Sequence, residues 1–290
     1  MSTGKAFADL TPFSVVINMH RTHERPRRLP AEVATGYPGQ FGTIDSGELS
    51  VNHDEVRALV FDVFGTVVDW RSSVTREGEK LAKAKGISHV DWAEFADAWR
   101  RRYSPSMEEV RSDRRPFTRL DVLHWENLEL TLLDVGLDPE TIPSSEIDAL
   151  NMGWHKLDPW PDVVSGLRRL KSGFIIAPLS NGNISLMIDI ARRSNLPWDA
   201  ILGAEVARAY KPTPEAYLRT AEILGMRPDE VCLVAAHNSD LLAARNCGFR
   251  TACVPRITEH GPKQTSDLSA EQDWDFVAKD LEAFADVLDT

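Results

Sequence analysis

A carboxylate, Asp62, closes the short apolar run Ala58-Leu59-Val60-Phe61, and two residues further on stands Phe64, which can neither donate nor accept a proton. A carboxylate without an acidic neighbour suits nucleophilic attack, in which the side chain itself forms the first bond. The competing reading is an aspartate that merely caps the following turn. Three further polar groups recur in comparable places. Ser180, Asn181 and Asn183 follow GFIIAPLS, Lys211 precedes Pro212 and a helical pattern, and His237, Asn238 and Asp240 follow EVCLVAA. Singly, each has a plain explanation: turn chemistry, a solvated lysine, or an acid complementing a helix dipole. Their order, each at the end of an apolar run or the start of a helix, points to one shared site.

For these side chains to meet, the runs that carry them must be neighbouring strands. Residues 57–62 read as a strand buried on both faces, because the run is short, continuous and apolar and a glycine follows. After residue 158, GFIIAPLS, NISLMIDIARRS, PEAYLRTAEILG, EVCLVAA, LLAARNCG and TACVP alternate strand with helix, which implies an α/β fold with a parallel sheet and helices on both faces. Ligands in such sheets bind just beyond the carboxyl ends of the strands, where Asp62 would stand. Residues 71–157 differ in texture. Trp92, Phe95 and Trp99 recur at helical spacing, as do Leu123, Leu128, Leu130 and Leu133, so this stretch is expected to be a helical insertion. The core would then comprise residues 55–70 and 158–290. Residues 1–54 are rich in proline, glycine and charge without a period and read as an irregular extension, in which FSVVIN at 13–18 could pack somewhere and Met19 could be the true start.

Composition bounds the partners. The chain has 290 residues and a formal charge of −11, which argues against nucleic acid or an anionic membrane as the main partner while leaving room for a local cationic pocket. Cys232, Cys247 and Cys253 show no metal-ligand spacing and no disulfide framework, so a reducing cytoplasm is the expected setting. No run has the length of a membrane span, and the amino terminus lacks the order of a signal peptide.

The ordered segments FDVFGT, LSN, KPTPEAY and VAAHNSDLLAARNCGF resemble the motifs of the haloacid dehalogenase superfamily, and more closely those of its L-2-haloacid dehalogenase branch. The resemblance covers residues 56–290. It implies a Rossmann-like core with an inserted helical cap, and hydrolysis of short 2-haloalkanoic acids through an aspartyl ester with neither metal nor cofactor. In that scheme Asp62 attacks C2 of the substrate, Thr66 holds the nucleophile's oxygen, and Asp240 orients or deprotonates the water that cleaves the ester. Two aspartates close together raise one another's pKa, so Lys211 between them would keep the nucleophile ionised. Ser180 and Asn181 would take the substrate carboxylate, and Arg100, after the stripe Trp92, Phe95 and Trp99, would take the halide. A surface arginine is the alternative there, since Arg101 and Arg102 follow. Phe64 and Trp160 would wall the pocket, with core packing an equal explanation for Trp160. Tyr217 would hydrogen-bond in the site or simply pack against the sheet. Family members are often dimers, so a homodimer is possible, though no spacing demonstrates it.

The choice within the superfamily is chemical. Its phosphatases use a second aspartate two residues after the first and further acids to hold magnesium, whereas this chain has Phe64 and, in the last motif, Asp240 alone. A hard cation wants several oxygen ligands. Halide leaves as a stable ion and needs no acid. Two rival readings remain, a magnesium-dependent phosphatase and a catalytically silent relative that binds a small carboxylate. The chain also departs from the branch at Ala235 and His237, where serine and asparagine are usual. His237 or Asn238 could take over the water, and His237 could act as a base near neutral pH or equally as a helix cap.

Overall fold

The computed structural model describes residues 56–290, so the expected extension at 1–54, with FSVVIN and Met19, lies outside the described residues. The first strand, β1 (Ala58–Phe61), leads through a short β2 (Val68–Asp69) into five helices: α1 (Trp70–Lys85), α2 (Trp92–Arg101), α3 (Tyr103–Arg111), α4 (Leu120–Asp134) and α5 (Ser144–Asn151). A short β3 (Asp158–Pro159) and α6 (Val163–Leu170) bring the chain to β4 (Ile175–Ser180) and α7 (Ile184–Ser194). There follow β5 (Leu202–Gly203), α8 (Ala204–Ala207), α9 (Pro214–Ile223), β6 (Val231–Ala235) and α10 (Asn238–Asn246). β7 (Arg250–Cys253), β8 (Phe276–Val277) and α11 (Leu281–Val287) end the chain.

Six strands form one sheet in the order β5-β4-β1-β6-β7-β8, and every pairing in it is parallel. β1 therefore lies between β4 and β6, which places the polar residues after all three strands side by side. The unbroken apolar character of β1 and β6 follows from burial on both faces. Leu59, Phe61, Cys232 and Val234 face one cluster with Leu167, Ile190 and Phe284, while Val60, Val231 and Leu233 face a second with Tyr217 and Leu241. Each such fully buried side chain contributes about 1.5–3 kcal/mol relative to exposure. The two outer strands β5 and β8 were not expected, since a two-residue pairing leaves no period to read.

Between β2 and β3 the chain is helical. Asp69 starts α1 by accepting from Ser72 N at 3.0 Å, and Gly86 ends it with φ +69°. Asp91 starts α2 by accepting from Ala93 N and Glu94 N, and Trp92, Phe95 and Trp99 are buried as their spacing predicts. The expected stripe of α4 is corrected. Leu123 and Leu128 are buried, but Leu130 and Leu133 are 48% and 54% exposed, because the buried face runs through Leu120, Leu123, Leu128 and Leu132 at helical period. The ends of this segment are joined by an antiparallel pair, Val68↔Pro159 and Asp69↔Asp158. Among the described residues, no helix is long and apolar enough to cross a membrane.

Candidate active site

Immediately after β1, Asp62 N donates to Val234 O of β6, which pins the start of the next turn to the neighbouring strand. The turn closes through Val67 N and Val68 N, both donating to Val63 O, with Gly65 at φ +93°. Inside it, Thr66 Oγ1 donates to Asp62 Oδ2 at 2.8 Å and accepts from Ala236 N, just past β6, at 2.9 Å. A hydroxyl that donates and accepts at once fixes the carboxylate relative to two strand ends. Behind the turn, Arg256 Nε donates to Thr66 O at 2.9 Å while the guanidinium grips Asp162 with two bonds of 2.8 Å.

Lys211 reaches the same carboxylate from the segment before α9. Its Nζ lies 2.9 Å from Asp62 Oδ1 and 2.5 Å from Asp240 Oδ2, and Tyr217 OH donates to Asp240 Oδ1 at 2.6 Å. Asn181 holds Lys211 in place by accepting from its backbone N at 2.8 Å. Burial alone would raise the pKa of Asp62, but Lys211 and His237 outweigh it and hold the carboxyl well below the usual range. Burial opposes the charge of Lys211 too, and Asp240 and Asp62 reverse that and raise it. Tyr217 is pushed up by burial and by Asp240, so it stays a neutral donor.

His237 departs from expectation. Its side chain caps no backbone amide of α10. Instead Nδ1 lies 3.2 Å from Asp62 Oδ2 and Nε2 lies 2.8 Å from Glu259 Oε2. Burial disfavours its charge, but Glu259 and Asp62 raise its pKa well above the ordinary value. Both ring nitrogens thus face carboxylate oxygens, which favours the protonated, donating form of the ring.

A cavity of about 220 Å³ opens over these groups, lined by Asp62, Phe64, Asn181, Lys211, His237 and Asp240 from the sheet side and by Arg100, Tyr103, Ser104, Met107 and Arg111 from the helices. Arg100 Nη1 is buried without a hydrogen-bond partner, and its Cζ lies 3.9 Å from the Tyr103 ring centroid and 5.7 Å from that of Phe64. By contrast, Arg102 pairs with Asp134 and Arg101 is exposed. Against the carboxylates of Asp62 and Asp240 the lining sets the cations of Lys211, His237, Arg100 and Arg111, so the cavity suits an anion.

Some expected residues stand elsewhere. Ser180 is fully buried, accepts from Gly182 N at 3.1 Å and does not line the cavity. Trp160 Nε1 donates to Gly65 O at 2.9 Å, so this ring braces the turn from outside instead of walling the pocket. Asn238 is spent on the segment beyond β7: its Oδ1 accepts from Glu271 N and Trp274 Nε1, and its Nδ2 donates to Asp267 and to Ser269 O. It is a tie between loops and leaves no group for a substrate or water. Reading the sequence missed Tyr103, Ser104, Met107, Arg111 and Glu259. The i, i+4, i+8 spacing of Tyr103, Met107 and Arg111 was a usable signal, whereas Glu259 lies in an aperiodic segment with none.

The donor set does not fit a magnesium ion. Among the lining residues only Asp62 and Asp240 are carboxylates, Lys211 Nζ stands against both of them, and a hard cation there would face Lys211, His237, Arg100 and Arg111 where it wants several oxygen ligands. His237, Glu259 and His260 bring ligand atoms within 4.8 Å of one another, but His237 and Glu259 are bonded to each other, and Glu259 Oε1 also accepts from Trp70 Nε1.

A family model described as haloacid dehalogenase-like hydrolase matches residues 56–248. The (S)-2-haloacid dehalogenase 4A of Burkholderia cepacia is 30% identical over 237 residues, covering 79% of this chain and 97% of that protein. Among solved structures, a defluorinating L-2-haloacid dehalogenase is 49% identical with a TM-score of 0.79, covering 81% of this chain and 96% of its own. A second L-2-haloacid dehalogenase is 43% identical with a TM-score of 0.77, covering 81% and 99%.

Proposed function

The chain belongs to the haloacid dehalogenase-like hydrolases, and on that premise we propose that it hydrolyses short 2-haloalkanoic acids to 2-hydroxyacids without a metal. The observation that carries the proposal is the pairing of Asp62, held ionised by Lys211, with the unspent guanidinium of Arg100 across one small cavity.

Asp62 Oδ1 attacks C2 of the substrate from the face opposite the halogen. The C–halogen bond breaks, the halide keeps the electron pair, and an ester between Asp62 and the 2-hydroxyacid forms with inverted configuration. Arg100 receives the departing halide, which needs no proton. Phe64 and Tyr103 enclose that end of the cavity, and Asn181 with neighbouring backbone amides takes the substrate carboxylate. Water then attacks Cγ of Asp62 and gives up a proton to Asp240. The 2-hydroxyacid leaves with that proton, and Asp62, left as a carboxylic acid with the second proton of the water, releases it to solvent and returns to its carboxylate. Lys211 keeps both carboxylates charged in the resting enzyme, and residues 71–157 serve as the cap over a core of 55–70 and 158–290. The setting is the cytoplasm, supported by three free cysteines of which two are buried.

The test is halide release from each enantiomer of 2-chloropropionate with EDTA present, beside phosphate release from monoesters with magnesium. Fluoroacetate belongs in the same panel because the solved structure at 49% identity is a defluorinating enzyme. Chloride from the (S)-enantiomer alone is expected. Phosphate release without halide release would overturn the proposal.

A further inference from the structure

Glu259 is 1% exposed and holds three polar neighbours: Trp70 Nε1 donates to its Oε1 at 2.8 Å, His237 Nε2 lies 2.8 Å from Oε2, and His260 Nε2 lies 3.6 Å from Oε1. A Cβ at Gly65 would come within 2.1 Å of Oε1, so the nucleophile's turn carries glycine where this buried carboxylate passes. No step in the mechanism above uses Glu259. The two oxygens of Asp62 are also not equivalent. Oδ1 faces Lys211 in the cavity, whereas Oδ2 receives Thr66 Oγ1 and His237 Nδ1.

We infer that Glu259 is a positioning residue for the second half of the reaction: it clamps His237 so that His237 and Thr66 together hold Asp62 Oδ2 when that atom becomes an oxyanion. The inference rests on Asp62 forming the ester through Oδ1. Oδ2 is then the ester carbonyl oxygen. When water adds to Cγ, the C=O electron pair moves onto Oδ2, and the water's proton goes to Asp240. Collapse returns the pair to the C–O bond and breaks the Cγ–Oδ1 bond to the 2-hydroxyacid, whose alkoxide recovers that proton. During the first half Oδ2 gains no charge, so the clamp acts selectively on hydrolysis. A cation fixed beforehand at the developing charge costs no reorganisation in the step itself.

The experiment mixes Glu259→Gln with (S)-2-chloropropionate, follows chloride in the first turnover and in the steady state, and weighs the intact protein. The expected result is one chloride per enzyme at close to the wild-type initial rate, then a steady state slowed roughly 10- to 100-fold, with the ester adduct accumulating on Asp62. His237→Asn breaks the same link from its other end. It is expected to give the same adduct, with the steady state slowed more than the burst, and it decides the matter if Glu259→Gln does not fold. Equal slowing of both phases, or a folded variant with an unchanged steady state, would overturn the inference while leaving the dehalogenase reading intact. Wild-type protein that releases no halide would overturn both.

Discussion

Lys211→Ala removes the ammonium that separates two buried carboxylates. At 2.9 Å, the Lys211–Asp62 pair alone is worth about 6 kcal/mol at an effective dielectric near 20. Desolvation offsets part of this, and breaking buried pairs from one side costs about 3–5 kcal/mol. At about 1.36 kcal/mol per pKa unit, the carboxyl of Asp62 should rise by roughly two to four units. The sign follows from the native state, in which burial pushes this pKa up but Lys211 and His237 hold it well below the usual range. The native enzyme should therefore show no acid limb from Asp62 above the ordinary carboxylate range. In the variant that limb should move up toward or into it; Asp62 stays ionised at neutral pH, and kcat/KM there should fall by roughly two to four powers of ten because the ammonium that holds Asp62 and Asp240 in place is gone. Stability is linked in the same direction. A depressed folded pKa contributes stability above the unfolded value of about 3.9, and that contribution is lost as pH falls through the folded pKa. The variant loses most of this contribution and should unfold at a higher pH on acid titration. The assay is halide release from (S)-2-chloropropionate across pH, with an acid unfolding curve. Activity within about tenfold of wild type and an unmoved acid limb would refute the reasoning.

Asp62→Asn should abolish turnover and leave no ester adduct by mass spectrometry; residual halide release would remove Asp62 as the nucleophile. Arg100→Lys keeps the charge but loses the planar fork, so kcat/KM for halide release should fall by roughly 10- to 100-fold, and a smaller effect for one halide than another would report how closely the guanidinium meets the leaving group. Arg256→Ala breaks the bidentate pair with Asp162 and the bond to Thr66 O, and urea denaturation should show a loss of about 3–5 kcal/mol. A loss below about 1 kcal/mol would mean that the turn is held by its own backbone bonds.

The central strands and the polar residues after them were legible because each strand there is buried on both faces and ends in a polar group. That reading reached Asp62, Thr66, Lys211 and Asp240, and the structure brings their side chains together. It failed where one residue type serves two ends. Asn238 and Ser180 look like site residues by position, yet their side chains are consumed by backbone groups and loops. Trp160 was balanced between pocket and packing, and its indole hydrogen bond to Gly65 O lies on the packing side. Glu259 was invisible because its partner His237 is distant in sequence and its own segment has no period. The aperiodic segment after β7 therefore carries a contact that no local pattern encodes.

The antiparallel pair of β2 and β3 has a consequence for how such a chain can be remodelled. Val68 faces Pro159 and Asp69 faces Asp158, so the polypeptide leaves the sheet-bearing part and returns to it within one strand spacing, about 5 Å. Whatever lies between those two points enters and exits through the same doorway. Its length can change without moving β1 relative to β4, because neither strand registers how far the chain has travelled in between. Residues 70–157 are in this sense a replaceable module, and exchanging them for the equivalent segment of a relative should alter the shape of the chamber above Asp62 while leaving Lys211, Thr66 and Asp240 where they are.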